Sequence, residues 1–210
     1  MAKFNSYLLG KVTRSVGNVT MCYVNKQNIA KAKIFARKDN PTPEILDQRA
    51  RMKALVQLSR RLLPVIRKGF VGSGRGTTSN AFVKLNQVAV EVDEKHVATI
   101  MFDQMKVASG MLYPAKVAVT YEPENKMYSF KQEIEEEEDG YAFTDDKVYG
   151  VLFETVLSRA KIVTLRSRGE SGSTIFNLPE DWDHANVKAY CFATLKNGSA
   201  ASDSRFLTIE

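Results

Sequence analysis

The 210-residue sequence has few of the residues from which disulfide frameworks and metal sites are built. Its two cysteines, Cys22 and Cys191, lie far apart and form no CxxC pair, so they predict neither a disulfide framework nor a zinc site. The only histidines, His96 and His184, leave too few ligands for a usual structural zinc site. We therefore expect no metal ion and no cofactor.

Long apolar runs are absent as well. No run of apolar residues approaches the length that a helix needs to cross a bilayer. Residues 1–15 contain only a short apolar stretch and lack the small-residue cleavage pattern of a secretory signal. We therefore expect a soluble chain that is made in the cytoplasm and has no membrane partner.

The sequence also lacks a recognisable catalytic constellation. No nucleophile has a candidate base in a familiar pattern, and neither histidine lies in a catalytic motif. The glycine run at residues 72–76 departs from the Walker pattern, because Arg75-Gly76-Thr77 stands where Gly-Lys-Ser/Thr is required. We interpret this run as a flexible linker or turn, with phosphate binding as the alternative. We therefore expect a protein that is not an enzyme and has no catalytic residue.

Charge is divided unevenly along the chain. Residues 1–90 carry 17 Lys/Arg and 3 Asp/Glu, a net charge of +14, whereas residues 91–210 carry 13 and 21, a net charge of −8. This layout suggests an anionic partner for the first half, or head-to-tail packing of opposite charges between copies, while a solvated basic face with no partner is the default interpretation. The acidic run at 133–139 is typical of a solvated loop or an edge guard, since consecutive glutamates lack the ligand spacing of a cation site.

Residues 40–70 give the clearest helix signal. Thr42 is a suitable N-cap whose hydroxyl accepts from first-turn amides, and Pro43 follows at the first helical position. Pro64 predicts a kink or an end near Leu63. A second helix is predicted at 80–86, capped by Thr78 or Ser79. The candidate contacts for an anion or a partner are the basic residues on these segments and the preceding hairpin: Lys31, Lys33, Arg51, Arg60, Arg61, Arg67, Lys68 and Arg75.

The remaining pattern is that of strands. Alternation predicts a hairpin from residues 16–23 and 29–36. Seven further candidate strands follow at 97–102, 116–121, 147–154, 162–167, 174–177, 187–194 and 204–209. So many short strands predict an antiparallel sandwich, with Trp182 and Tyr190 as core aromatics.

The predicted fold is mainly β with an α-helical segment. It consists of an N-terminal β-hairpin plus helices and a C-terminal antiparallel immunoglobulin- or fibronectin-like β-sandwich. We expect two domains, a basic hairpin-and-helix region at 1–94 and an acidic β-sandwich domain at 95–210.

Short motifs occur in an order that resembles a known family. They are Gly10-Lys11, Gly17-Asn18-Val19, Pro41-Thr42, Gln48-Arg49-Ala50-Arg51-Met52, Gly69-Phe70, Asn80-Ala81-Phe82, Phe102-Asp103, Val107-Ala108-Ser109-Gly110-Met111-Leu112-Tyr113-Pro114, Asn197-Gly198 and Ser202-Asp203-Ser204. Over nearly its whole length the chain resembles an uncharacterised Bacteroidota family catalogued as a domain of unknown function. It departs from the family in the first hairpin, where Tyr23 stands in place of a common tryptophan and Lys26-Gln27 replaces the usual glycine turn.

The resemblance implies no activity, catalytic residue or cofactor, and its layout is similar to that of phage and mobile-element structural proteins. We therefore expect a non-enzymatic structural or assembly protein, such as a component of a virion, prophage or mobile-element particle, that associates with itself or with other structural proteins. The alternative is a nucleic-acid-binding protein that uses the basic N-terminal half, although no RRM, zinc-finger or helix-turn-helix motif is present.

Overall fold

The computed structural model describes residues 1–35, 39–72, 76–135, 138 and 140–209. With 38% strand and 20% helix the chain is mainly β, and its sheets are antiparallel. The predicted class, mainly β with an α-helical segment, is therefore confirmed. By internal contacts the chain divides into two units, Met1–Pro41 and Thr42–Glu210.

The first unit is an antiparallel four-stranded sheet in the order β1-β4-β3-β2. Its strands are β1 (Ala2–Phe4), β2 (Arg14–Val16), β3 (Val19–Val24) and β4 (Gln27–Ala32). The predicted hairpin is confirmed as β3 and β4. Asn25 and Lys26 form its two-residue turn, and both have positive φ, as a type I′ turn requires.

The second unit begins with three helices: α1 (Pro43–Arg61), α2 (Leu63–Gly69) and α3 (Thr78–Leu85). The predicted start at Pro43 and the predicted break beside Pro64 are both confirmed. The buried residues of α1 include Leu55 and Leu58, which point the helix towards the core.

Thr42 is the N-cap residue of α1 as predicted, but the predicted bond of its hydroxyl and the predicted cap of the second helix were wrong. The Thr42 hydroxyl makes no bond to the first-turn amides; it hydrogen-bonds the Glu44 carboxylate instead, and this bond holds the pKa of that carboxyl below its usual value. Helix α3 begins two residues earlier than predicted, because the Thr77 hydroxyl accepts from the Asn80 amide at 3.2 Å.

The strands of the second unit are β5 (Val90–Val92), β6 (Ala98–Ile100), β7 (Val117–Glu122), β8 (Met127–Gln132), β9 (Lys147–Glu154), β10 (Arg159–Ser167), β11 (Gly172–Asn177), β12 (Val187–Thr194) and β13 (Arg205–Leu207). They form a β5-β6 hairpin, a three-stranded sheet β11-β8-β7 and a four-stranded sheet β10-β9-β12-β13. Each of the seven predicted strands is present, and β9 and β12 have the predicted bounds. Strands β5 and β8 were not predicted.

The central strands β9 and β12 are buried on both faces. Val151 and its cross-strand neighbour Tyr190 lie in one core with the helices. Leu152 and its neighbour Ala189 lie in a second core, shared with the three-stranded sheet. Gly150 leaves room for the Phe130 ring of β8, because a Cβ there would lie 2.7 Å from that ring. The two sheets therefore face each other, and the helices cover the other side of the four-stranded sheet.

This layering explains where the chain divides. The division by contacts falls between Pro41 and Thr42, whereas the change of charge suggested a boundary at 94/95. Helices α1–α3 share a core with β9 and β12, so they pack as part of the C-terminal β unit although they are basic.

A buried arginine joins the loops at one end of the second unit. Arg168 is 1% exposed, and its Nε donates to Asp146 Oδ2 at 3.1 Å. Its Nη1 donates to Glu135 Oε2 at 2.7 Å, and its Nη2 donates to the Tyr113 carbonyl at 2.6 Å. Burial raises the pKa of Asp146, against the Phe143 amide and the Arg168 guanidinium, which lower it. The guanidinium is thus compensated by two carboxylates and a carbonyl.

This network corrects one expectation about the acidic run. Glu135 is not a solvated residue of a loop, because it pairs with buried Arg168 and also accepts from the Lys116 amide at 2.7 Å. Glu138 accepts from both the amide and the hydroxyl of Thr144. The other predicted loop residues Glu136, Glu137 and Asp139 lie outside the described residues.

We expect Arg168→Met to lower the free energy of unfolding by about 3–5 kcal/mol, because it leaves the buried Asp146 carboxylate without its cation. Urea unfolding followed by the fluorescence of buried Trp182 measures this loss. The control Arg166→Met changes an exposed arginine two residues earlier and should stay within about 0.5 kcal/mol of the wild type. Equal losses in the two variants would contradict the role assigned to Arg168.

Candidate functional site

The N-terminal sheet has one apolar face and one basic face. Directly opposed residues of antiparallel strands share a face, so the strand register assigns each side chain to one side. The apolar face consists of Ala2, Phe4, Val16, Val19, Met21, Tyr23, Ala30 and Ala32, with Arg14 and Asn28 as its polar members. The alternation of Val19, Met21 and Tyr23 predicted this side.

Much of the apolar face is left uncovered. Among the described residues of this unit Asn28 alone is buried, whereas Val16 is 70% and Val19 37% exposed. The segment before β2 covers one end only, where Asn28 Oδ1 accepts from the Val12 amide and Asn28 Nδ2 donates to the Gly10 carbonyl. A sheet that buries so little apolar area is marginal by itself. The rest of the face is therefore suited to covering by another surface.

The opposite, basic face carries exposed Lys3 and Lys31, the second of which was predicted as a contact. Predicted Lys33 follows β4, and its ammonium lies 5.4 Å from the centre of the Phe35 ring. Residues 1–41 contain eight Lys/Arg and one Asp/Glu, a net charge of +7. This unit therefore combines a strong positive charge with exposed apolar surface.

The predicted basic residues of the helices have different surroundings. Arg51 Nε donates to the Val90 carbonyl at 3.2 Å, and the Lys68 ammonium lies 4.7 Å from the centre of the Tyr149 ring. Both cations thus hold helices against strands. Arg67 is exposed, and Arg75 lies outside the described residues. Arg60 and Arg61 are exposed neighbours in the last turn of α1.

Arg60 and Arg61 line an open cleft of about 680 Å³. One wall is the C-terminal half of α1, and the opposite wall is the end of β9 with the turn into β10, including Thr155 and Ser158. Phe102, which follows β6, also lines the cleft. No local sequence pattern indicates this cleft, because Phe102 and the β9–β10 wall follow the lining residues of α1 by about 45 and 95 residues.

Two segments that carry the family resemblance bind each other, and we call this contact the Asp203 clasp. Asp203 Oδ2 accepts from Lys106 Nζ at 2.6 Å, and its Oδ1 accepts from Ser109 Oγ at 2.9 Å and from the Gly110 amide at 3.3 Å. Gly110 has no space for a side chain, because a Cβ there would lie 2.0 Å from the Ala201 carbonyl oxygen. These motif residues therefore serve to close the second unit.

The sequence did not predict that Asp203 holds residues 106–110 in place. Its only local signal is the run Ser202-Asp203-Ser204, and Lys106 precedes it by 97 residues. Burial raises the pKa of Asp203, but hydrogen bonds from Lys106 and Ser109 outweigh it and lower the pKa below the usual value.

The other strongly shifted groups lie in the cores. Burial raises the pKa of the Cys191 thiol to about 11 and raises the pKa values of Tyr128 and Tyr190 as well. Desolvation of this kind keeps a group neutral and unreactive near pH 7. The Tyr190 hydroxyl donates to the Phe102 carbonyl at 2.7 Å, which is a packing contact.

No protein-family model, curated protein or solved structure matches the chain. Among the described residues, the helices are too short or too polar for any of them to cross a membrane. The resemblance to the Bacteroidota family remains a prediction, and the function is inferred from the surfaces described above.

We expect Asp203→Asn to destabilise the protein at pH 7 and to change how its stability depends on pH. Because the pKa of Asp203 is lower in the folded chain, its carboxylate stabilises the fold above the unfolded value of about 3.8, and this contribution disappears as the pH falls through the folded pKa. The difference in unfolding free energy between wild type and variant should thus be constant above about pH 5 and shrink towards pH 2. Urea unfolding across this range measures it. A difference that does not change with pH would show that the clasp does not depend on the charge.

Proposed function

We propose that the protein is a non-enzymatic structural or assembly protein whose N-terminal sheet docks on a second copy of the chain. In this proposal it is made in the cytoplasm and becomes a component of a virion, prophage or related mobile-element particle. The observation that carries the proposal is the uncovered apolar face of the N-terminal sheet, on which Val16 and Val19 are exposed. Covering this face supplies the burial that the small sheet lacks.

Charge favours the acidic region of the neighbouring copy as the partner of this face. Residues 1–41 have a net charge of +7, so two N-terminal sheets repel each other, whereas residues 91–210 have a net charge of −8. Opposite charges steer the two surfaces together and oppose wrong pairings. A contact between different surfaces of successive copies repeats into a ring or a filament, which suits a particle component.

We also propose that the two sheets of residues 95–210 form an immunoglobulin- or fibronectin-like sandwich. When β7 to β13 are lettered A, B, C, C′, E, F and G in chain order, the sheets read E-B-A and C′-C-F-G. Immunoglobulin-like sandwiches place A, B and E opposite C, F and G in the same way. The shared core and the Phe130 ring above Gly150 support this reading. With helices on the C′-C-F-G sheet, loops and strand edges are left for contacts between copies.

The assembly proposal predicts that Val16→Asp with Val19→Asp abolishes self-association. These two residues lie directly opposite each other on the apolar face. Burying two carboxylates there would carry a large desolvation penalty. Light scattering coupled to size exclusion should give an oligomer for the wild type and a single-chain mass of 23.5 kDa for the variant.

The matched control is Ser15→Asp with Thr20→Asp. This pair lies directly opposite on the same two strands and adds the same charge, but on the basic face. The control should remain oligomeric. A wild type that is monomeric at high concentration and low salt, or a control that dissociates like the test variant, would refute the proposal.

The second candidate function is nucleic-acid binding by the basic N-terminal half. The observation that favours it is the basic face, where exposed Lys3 and Lys31 lie on one side of the sheet, together with the exposed Phe35 ring beside Lys33. Lysines that track a phosphate backbone and aromatic rings that stack on bases are the usual parts of a single-strand site.

This candidate predicts that Lys3→Gln with Lys31→Gln weakens binding to a single-stranded oligonucleotide and makes it less sensitive to salt. Each lost phosphate contact changes the slope of log K against log salt by about 0.7, so the pair should change it by about 1.4. Fluorescence anisotropy at several salt concentrations measures the slope. Lys95→Gln with Lys126→Gln removes the same charge elsewhere and should leave the slope unchanged. Binding that does not respond to salt would exclude this function.

A further inference from the structure

We propose that the cleft lined by Arg60 and Arg61 binds a small organic anion, with its charged head on the two guanidinium groups and an apolar or aromatic body on Phe102. This site is separate from the apolar face used in the proposed assembly. Its volume of about 680 Å³ is in the range of sites that hold small molecules, which is about 300–1,000 Å³.

The helix wall presents one continuous stripe of α1 to the cleft. Ala54, Gln57, Leu58 and Arg61 line it, and residues spaced by three, four and seven positions share a helix face. Leu58 is buried at the base of this stripe, whereas Gln57 and Arg61 are exposed. The wall therefore changes from apolar at its base to hydrogen-bonding and charged at its rim.

The strand wall is held in place by its own hydrogen bonds. The amide and the hydroxyl of Thr155 both donate to the Asn186 carbonyl at 3.0 Å. The Leu157 amide donates to the Glu154 carboxylate, and Ser158 takes a left-handed backbone conformation in the turn. The Ser158 hydroxyl reaches the Thr155 carbonyl only at 3.5 Å, a weak bond that leaves this hydroxyl available to a ligand.

The charge of the cleft is not compensated. Among the described residues, neither Arg60 nor Arg61 has a carboxylate within ion-pair distance, whereas exposed Arg159 pairs with Asp181 and Lys106 pairs with Asp203. The helix dipole favours cations near the C-terminal end of α1, so it explains why a basic residue occurs in the last turn. It does not account for two guanidinium groups that line the same cleft. Planar guanidinium groups bind carboxylates and phosphates by paired hydrogen bonds.

The floor of the cleft favours an apolar body on the ligand. Phe102 and Phe153 line it, with ring centres 5.8 Å apart, and Ile100 lies beside them. The Phe102 backbone is fixed because its carbonyl accepts from the Tyr190 hydroxyl. A ligand with an anionic head group and a flat or aliphatic body therefore matches both the charged rim and the apolar floor of the cleft. Aryl carboxylates and aryl phosphates share this chemistry.

The test uses the full chain with phenylpropionate, phenyl phosphate and the neutral phenylpropionamide as probes. Amide chemical shifts in NMR titrations report binding and its location. We expect at least one anion to bind in the millimolar range, as suits a ligand of about ten heavy atoms, and the neutral amide to bind at least about tenfold more weakly. The anion that binds more tightly identifies the head group. Shifts should be confined to α1, residues 100–102 and the β9–β10 turn.

Arg60→Gln with Arg61→Gln should weaken anion binding at least about tenfold. The matched control, Lys53→Gln with Arg67→Gln, removes the same charge from exposed positions of α1 and α2 outside the cleft and should bind as the wild type does. Unchanged amide spectra of the free variants show that both remain folded. No binding of either anion, equal binding of the neutral amide, or equal losses in the two double variants would overturn the proposal. None of these outcomes bears on the oligomeric state, so the assembly proposal is tested independently.

Discussion

The burial of β9 and β12 on both faces is the constraint on which the second unit depends. Seven of the eight residues of β9 are buried, so each face of this strand needs its own covering layer. The helices supply one layer and the three-stranded sheet supplies the other. Neither layer is optional, because removing one would expose a row of large apolar side chains to water. The basic helices and the acidic strands therefore fold as one unit in spite of their opposite charge.

Two charged centres then fix the loops around these layers. Arg168 gathers the segments near Tyr113, Glu135 and Asp146, and the Asp203 clasp gathers residues 106–110. The charge of each centre is balanced by partners from distant parts of the chain. Such a network of hydrogen bonds favours one arrangement of the loops. Ser109, Gly110, Tyr113 and Asp203, which belong to the short motifs, take part in this arrangement.

Local sequence patterns predicted those helices and strands whose positions depend mainly on neighbouring residues. Alternation located β9, β12 and the first hairpin, and Pro43 and Pro64 marked the helix boundaries. Strand β8 was missed because its sequence, residues 127–132, runs into the acidic stretch and lacks a turn signal behind it. Its burial is decided by the neighbouring strands on both sides.

The candidate site was predictable only as a set of charges. Composition and spacing identified the basic residues, but they did not show which of these residues contact other elements of the same chain. Arg51 and Lys68 are engaged by a carbonyl and a ring that lie 39 and 81 residues further along the chain. The same holds for the cleft, whose lining residues come from α1, from the end of β6 and the residues after it, and from the end of β9 with the following turn. Long-range packing decides both, and one-dimensional patterns do not contain it.

The clasp has a consequence for the order in which the protein matures on the ribosome. Lys106 and Asp203 are 97 residues apart, so at about 5–20 residues per second roughly 5–20 s separate the synthesis of the two partners. During this interval β12 and β13 are also missing, and α1 has no complete sheet to cover. The N-terminal sheet, with all its pairings between Ala2 and Ala32, needs only early contacts. A growing chain can therefore pair the strands of this marginal sheet before Asp203 is synthesised, whereas the larger unit can close through the clasp only afterwards.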